Sequence, residues 1–240
     1  MVIGGHSGTS MLSSVEELQV LPSASASNSW SLENAALSTA RYTHGAAVVN
    51  KTIYIVGGSS TLHTNPTPLR SMEAHVVGSS EWVPKAPMSI ERWVLGVAAL
   101  EGQVCATGGR DKDGTDLSSV ECYSPPDDAW SSKASMAQAR SYHAAVSLDD
   151  YLYVIAGYSN GKDMNSVEKY SLRADAWTTV TSLPGVARWA MGAATMRKWV
   201  FVVGGSDGSV RQKDVYRYEP GADKWERMAD MGTARDGVRA

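Results

Sequence analysis

RSYHAAVSLDDYLYVIAGYSNGKDMNSVEKYSLRADAW, residues Arg140 to Trp177, is the stretch whose reading decides the fold. Ser141 to Leu148 is a run of small and β-branched residues that fits a strand. Asp149-Asp150 signals a turn, and Tyr151 to Ala156 is a second strand, aromatic and β-branched. Gly157 ends it, and a polar loop rich in Gly, Asn and Asp follows through Asn165. Val167 to Tyr170 is a third strand, Arg173 to Ala176 another turn, and Trp177 to Val180 a fourth strand. Nothing between them has helical periodicity, so the segment reads as one four-stranded antiparallel sheet.

The same plan recurs outward in both directions. Glycine pairs end at Gly5, Gly58, Gly109, Gly157 (here Ala156-Gly157) and Gly205, in steps of 53, 51, 48 and 48 residues. Tryptophans follow at Trp30, Trp82, Trp130, Trp177 and Trp225. An arginine stands ten or eleven residues further on, at Arg41, Arg92, Arg140, Arg188 and Arg235. A fixed period near fifty with four strands per unit is the signature of a β-propeller, each unit a blade. Second strands are apolar on both faces, as in Thr52 to Val56 and Trp199 to Val203, which suits sheets sandwiched between neighbours. First strands carry Gly45-Ala-Ala47, Gly96-Val-Ala-Ala99, Ala144-Ala145 and Gly192-Ala-Ala194. Small side chains suit the strand nearest the axis, where volume per residue is least.

The ordered set of Gly-Gly, Val-Glu-x-Tyr (Val120 to Tyr123, Val167 to Tyr170), Trp seven residues later and Arg-x-x-His (Arg41 to His44, Arg140 to His143) resembles the kelch repeat over essentially the whole chain. Departures are Leu18 and His75 at the tyrosine position, Tyr216 at the glutamate position, and Leu95, Met191 and Val238 at the histidine position. The first and second units also carry longer loops, Leu21 to Ser29 and Ser59 to Arg70. The expectation is an all-β kelch-type propeller of about five four-stranded blades forming a single domain over 1–240. Its units lie near 1–39, 40–90, 91–138, 139–186 and 187–233. By resemblance, the C-terminal strand 234–240 completes the first blade, which opens directly at its glycine pair. That strand stops short of its counterparts, so the sequence is also expected to be a piece of a longer protein.

Composition bounds the function. Hydrophobic residues make up 43% and charged residues 20%, with a formal charge of −3. Such a balance offers no clustered basic footprint for nucleic acid, and no 18-residue apolar run suggests a membrane span. No secretory signal is visible, and the single sequon at Asn50 stands alone. The two cysteines, Cys105 and Cys122, admit one bridge. Buried free thiols in a reducing, cytoplasmic setting are the expectation.

Most repeated residues belong to the scaffold on this reading. Glu16, Glu73, Glu121 and Glu168 occupy one equivalent place in separate units, as do His44 and His143, so neither set is an acid/base pair or a metal site. Two positions per unit repeat in place but vary in identity. After the glycine pairs stand His6, Ser59, Arg110, Tyr158 and Ser206; after the marker arginines stand Tyr42, Trp93, Ser141, Trp189 and Asp236. In peptide-capturing kelch domains the equivalent positions converge at the mouth of the central channel. The resemblance therefore implies that these ten bind a protein or peptide partner, through residue types that dominate interface hot spots.

No Gly-x-Ser-x-Gly, His-Glu-x-x-His, Walker loop or Cys-x-x-Cys occurs. A non-enzymatic protein-interaction module with no cofactor is expected. The family further implies substrate capture for a cullin ubiquitin ligase, through a BTB domain absent from this sequence. Its alternatives are actin binding and, less favoured, a sialic acid epimerase-like or copper radical oxidase activity.

Overall fold

The computed structural model describes residues 2–6, 10–19, 29–32, 36–62 and 65–237. Four four-stranded sheets and one three-stranded sheet follow one another along the chain. The first holds β1 (Val2–His6), β2 (Met11–Gln19) and β3 (Ser29–Leu32). The second holds β4 (Gly45–Val49), β5 (Thr52–Val56), β6 (Met72–Val76) and β7 (Val83–Lys85). The third holds β8 (Gly96–Leu100), β9 (Gln103–Thr107), β10 (Val120–Ser124) and β11 (Ala129–Lys133). The fourth holds β12 (Ala144–Leu148), β13 (Tyr151–Ser159), β14 (Lys162–Ser171) and β15 (Ala176–Val180). The last holds β16 (Gly192–Met196), β17 (Trp199–Val203), β18 (Val215–Glu219) and β19 (Lys224–Arg227). Each is an antiparallel meander in sequence order.

The expected count of about five four-stranded blades is therefore corrected to four. No fourth, innermost strand of the first unit is seen among the described residues, and 238–240 lie outside them. Completion of that blade by the C-terminal strand is not seen: no strand among the described residues pairs with the open edge of β1. The loop 20–28 and His63 also lie outside the described residues.

Innermost strands β4, β8, β12 and β16 lie side by side in turn, and their small residues are required by that approach. A Cβ built on Gly45 would sit 2.1 Å from Val97 Cγ2, and one on Gly96 would sit 2.7 Å from the Ala145 Cβ. Alternating residues of each second strand pack to opposite sides. Tyr54 and Val56 meet Val97, Val104 and Tyr123 of the next sheet, whereas Ile55 meets Val15 and Leu37 of the preceding unit. Leu152 and Val154 likewise pack back on Cys105 and Cys122, whereas Tyr153 and Ile155 face Val200, Val202 and Tyr218. Burial of these apolar faces is the main force holding the blades together.

Cys105 and Cys122 are directly opposed on β9 and β10, with Cα atoms 4.1 Å apart, and form a disulfide. The free-thiol expectation is corrected, and the redox argument for a reducing compartment goes with it. Antiparallel register explains the pairing, because the loop and strand across a sequence separation of 17 return the chain to the facing position.

The sequence markers touch across the blade joints. The second glycine of each pair donates its N–H to the carbonyl of the next marker arginine: Gly58 to Arg92, Gly109 to Arg140, Gly157 to Arg188 and Gly205 to Arg235, at 2.9–3.0 Å. The first glycine has no room for a side chain, since a Cβ on Gly108 would lie 2.4 Å from the Arg140 carbonyl oxygen. The arginine side chain turns back into its own sheet. Arg92 donates to the carbonyls of Gly108 and Ser119 and to Glu121, whose other oxygen accepts from the Ser89 N–H. Arg41–Glu73 and Arg140–Glu168 repeat this arrangement, fully buried, with N–O distances of 2.5–2.7 Å in the set. Burial pulls these three guanidinium groups below the ordinary arginine value, opposed by the attraction of their glutamates. Glu16, in the incomplete first sheet, is exposed.

A second clasp joins each sheet to the loop leaving its predecessor. Asp128 accepts from the Tyr123 hydroxyl at 2.7 Å and from the Ala86 N–H, while Trp130 Nε1 donates to the Ala86 carbonyl. Tyr170–Asp175–Trp177 holds Ala134 in the same way, and Tyr218–Asp223–Trp225 holds Thr181. The joint before β7 departs from this plan: His75 replaces tyrosine and stacks on Trp82, ring centroids 5.0 Å apart.

Candidate functional site

The two variable positions of each unit meet as backbone partners. Tyr42 pairs with Ser59, Trp93 with Arg110, Ser141 with Tyr158, and Trp189 with Ser206, each through two N–H to carbonyl bonds of 2.8–3.1 Å. Asp236 lies in the same chain position but has no such partner among the described residues; its carboxylate accepts from Arg211 Nε at 2.8 Å. The backbone of His6 belongs to β1, and its side chain lies outside the described residues.

One residue further along, the chain steps from blade to blade. The Val94 N–H donates to the Thr43 carbonyl, Tyr142 to Val94, Ala190 to Tyr142 and Gly237 to Ala190, at 2.9–3.2 Å. Every residue of this collar is left-handed, with φ between 48° and 65°, a conformation that costs a β-branched residue such as Val94 about 1–2 kcal/mol. The interblade bonds recur at each step and fix it there. The collar places the variable side chains at one inner rim.

At that rim the rings form a continuous path. Tyr42 and Trp93 have centroids 6.4 Å apart, Trp93 and Tyr142 6.2 Å, and Tyr142 and Trp189 5.2 Å. Edge and tilted contacts of this kind stabilise beyond the area they bury. Arg110 lies over two of the neighbouring rings, 5.6 Å from the Tyr142 centroid and 5.1 Å from that of Tyr158. Its Nε donates to Asp116 Oδ1 at 2.8 Å, and Asp116 Oδ2 accepts the Asn160 N–H from the next blade.

Exposure divides the ten expected contact residues. Tyr42, Trp93, Ser59, Ser141 and Ser206 are buried, with Tyr42 and Trp93 only 2% and 5% exposed. Burial pushes the Tyr42 hydroxyl up to about 12. The side chains of these five lie covered in the structure as it stands. They are held by the packing of adjacent blades, a condition that no single repeat reveals. Arg110, Tyr158, Trp189 and Asp236 remain partly exposed.

Tyr142, Asp116 and Asn160 were missed from sequence. Tyr142 could have been found, because its position also varies between repeats: Thr43, Val94, Tyr142, Ala190 and Gly237. Beside Tyr158, a groove of about 470 Å³ is lined by Gln138, Ser159, Asn160, Lys162, Asp163 and Asn165 among others. Burial and the charge of Asp207 hold the Asp163 carboxyl above its ordinary value. Among the described residues no group of three or more His, Cys, Asp or Glu is placed to hold a metal ion.

Comparison with known proteins agrees with this architecture. The KLHDC2/KLHL20/DRC7 Kelch-repeats domain matches residues 85–240, and the Kelch motif matches 40–89. The chain is 26% identical to Kelch-like protein 36 of Bos taurus, over 78% of this chain and 32% of that protein. It is 26% identical to Kelch-like protein 25 of Xenopus tropicalis, over 84% of this chain and 35% of that protein. It is 27% identical to Beta-scruin of Limulus polyphemus, over 54% of this chain and 14% of that protein. It thus spans about a third of the length of the two kelch-like relatives. Among solved structures, the one described as the structure of YjhT superposes with a TM-score of 0.70 at 14% identity, covering 82% of this chain and 68% of that one. This last likeness is one of fold.

Proposed function

The chain belongs to the kelch-repeat family of β-propellers, and from that premise we propose that it captures a short peptide or loop of a partner protein at the inner rim. Arg110, Tyr142, Tyr158 and Trp189 make the contacts. The buried Tyr42, Trp93, Ser59, Ser141 and Ser206 hold that surface rigid from below, and the groove lined by Ser159, Asn160 and Asn165 offers amides to the partner's backbone. The single observation supporting this reading is a contrast. Scaffold positions largely repeat from blade to blade, whereas the positions joined through the collar vary in identity and include half-exposed aromatics and a cation. Rigid aromatic and arginine anchors lose little entropy on binding and dominate interface energies.

By its likeness to the kelch-like proteins, we read the role of the whole protein as substrate recognition for a cullin ubiquitin ligase, with a BTB domain outside this sequence supplying the ligase contact. The alternative within the family is actin binding, which cosedimentation with filaments tests directly.

The site is tested by retention of partners from an extract on the immobilised protein. Tyr158→Ala and Trp189→Ala are each expected to weaken the retained complex by about 2 kcal/mol, whereas Lys51→Ala, in the β4–β5 turn, leaves it intact. Equal retention by all three variants overturns the rim as the binding surface.

A further inference from the structure

The loop from Ser59 to Arg70 is longer than its counterparts in the third, fourth and fifth units, and Thr61, Leu62, Asn65 and Thr67 stand exposed on it. It carries Thr67-Pro68, one of two places in the chain where a hydroxyl residue precedes proline; the other is Ser124-Pro125. The two sites differ in accessibility and in the charge around the hydroxyl.

Thr67 belongs to no strand. Its Oγ1 lies 3.1 Å from Thr61 Oγ1, another exposed hydroxyl, and its N–H donates to Ser59 Oγ at 3.0 Å. Proline at the next position removes a backbone donor and biases Thr67 toward an extended conformation, the form in which a kinase cleft accepts a segment. Thr67, Arg70, Glu91 and Lys112 line one groove of about 430 Å³, to which the loops of the second and third sheets both contribute. Arg70 is exposed and has no ion pair among the described residues. Lys112 pairs with its neighbour Asp113, both largely in solvent, and such a pair contributes little, so the ammonium can turn to a stronger anion. Glu91 is the one acid among the residues lining the groove.

Ser124 has the opposite surroundings. It is half-buried at the end of β10, where it pairs with Ala129, and its hydroxyl donates to Asp127 Oδ2 at 2.6 Å, with Asp128 next in the chain. A phosphate there would meet carboxylates and lose a strand pairing.

We propose that Thr67 is a phosphorylation site for a proline-directed protein kinase, and that Arg70 and Lys112 hold the phosphate and so tie the 59–70 loop to the 110–116 loop of the next sheet. In the transfer, Thr67 Oγ1 bonds to the γ-phosphorus of ATP and the bond from that phosphorus to its bridging oxygen breaks. ADP leaves with the electron pair, and the hydroxyl proton passes to the kinase's base. The phosphate brings a charge of about −2 and strong acceptor oxygens that pair with arginine and lysine. This goes beyond the rim reading and does not depend on it.

The intact chain is incubated with a purified proline-directed kinase and ATP, and the phosphate is located by peptide mass spectrometry. Phosphate on Thr67, lost in Thr67→Ala and in Pro68→Ala and kept in Ser124→Ala, is the expected result. Phosphate on Ser124 in place of Thr67, equal modification of Pro68→Ala, or none on the folded chain overturns the site. With the phosphate in place, exchange of the Ser60, Thr61 and Thr67 amides is expected to slow about tenfold, the scale of one charge-assisted hydrogen bond. Arg70→Gln with Lys112→Gln is expected to abolish that slowing while leaving Thr67 modified. Exchange that is unchanged or faster on phosphorylation, or equally slowed in the double variant, overturns the clamp by the two cations.

Discussion

Ala156 stands where the other units have the first glycine of the pair, and it pays for that with φ of 55°. Its neighbours in the repeat show a Cβ there pressed against the next arginine carbonyl, at 2.6 Å for Gly57 and 2.4 Å for Gly108. Ala156→Gly is therefore expected to raise stability by about 1 kcal/mol, read as a higher midpoint in denaturant; a lower midpoint contradicts the strain. Gly96→Ala should act in the opposite sense. Its methyl would lie 2.5 Å from His143 Nε2 and 2.7 Å from both Thr107 Oγ1 and the Ala145 Cβ, an overpacking that costs about 1–3 kcal/mol. Much at this scale was legible in the sequence: Gly45, Gly96, Ala144 and the glycine pairs were small for the reasons the structure gives. What was not legible was burial of Tyr42 and Trp93, because that depends on which blade lies against which. Nor was the disulfide legible, since Cys105 and Cys122 are facing partners only in the realised register.

Within one sheet, the arginine clasp explains a substitution that the sequence left as a bare departure. In the last sheet Tyr216 replaces the glutamate, and Arg188 pairs instead with Asp214, two residues earlier where the others have serine, while the Tyr216 ring lies 5.8 Å from its guanidinium. The two changes compensate each other. Glu121→Gln alone is expected to cost about 3 kcal/mol or more by leaving Arg92 buried with its charge unpaired. Adding Ser119→Asp and Glu121→Tyr together in place of that single change should recover most of the loss. Equal destabilisation by both variants would deny the exchange. The Tyr–Asp–Trp clasps make a pH prediction. Asp128 and Asp223 are held below their ordinary value chiefly by the tyrosine hydroxyl, and Asp175 chiefly by the Ala134 N–H. A carboxyl with a depressed folded value binds its proton more weakly folded than unfolded. Its contribution is therefore intact above the unfolded value of about 3.9 and is lost as pH falls through the lower folded value. The blade joints should weaken below about pH 4, and a denaturation midpoint that stays flat from pH 5 to pH 2.5 contradicts this. The tyrosine and tryptophan of each clasp were recognised as scaffold from sequence. The aspartate two residues before the tryptophan was read only as part of a turn, because its partner lies in the preceding unit.

At the scale of the molecule, sheets flanked on both sides differ from those at the ends of the array. Residues on β9, β10 and β13 are buried on both faces, whereas β17 alternates, with Val200 and Val202 buried and Trp199, Phe201 and Val203 half-exposed. Met196 on β16 is 58% exposed. Local opening free energy follows such burial, so amide exchange should be slowest in β8 to β14 and faster in β1 to β3 and β16 to β19. The radial arrangement was legible from the period near fifty. The number of complete blades was not, because markers of a unit recur whether or not all four of its strands pair into one sheet. The central claim is that stacking identical units gathers their non-identical residues at one rim, and that this rim is where a partner binds. It is tested most directly by the amide-exchange footprint of the chain with a captured partner bound. Protection confined to residues 110–116, 141–142, 158–163 and 189–190 is the predicted result. Protection centred instead on the opposite turns around Lys51, Gly102, Asp149 and Lys198, or along the outermost strands, would contradict the account.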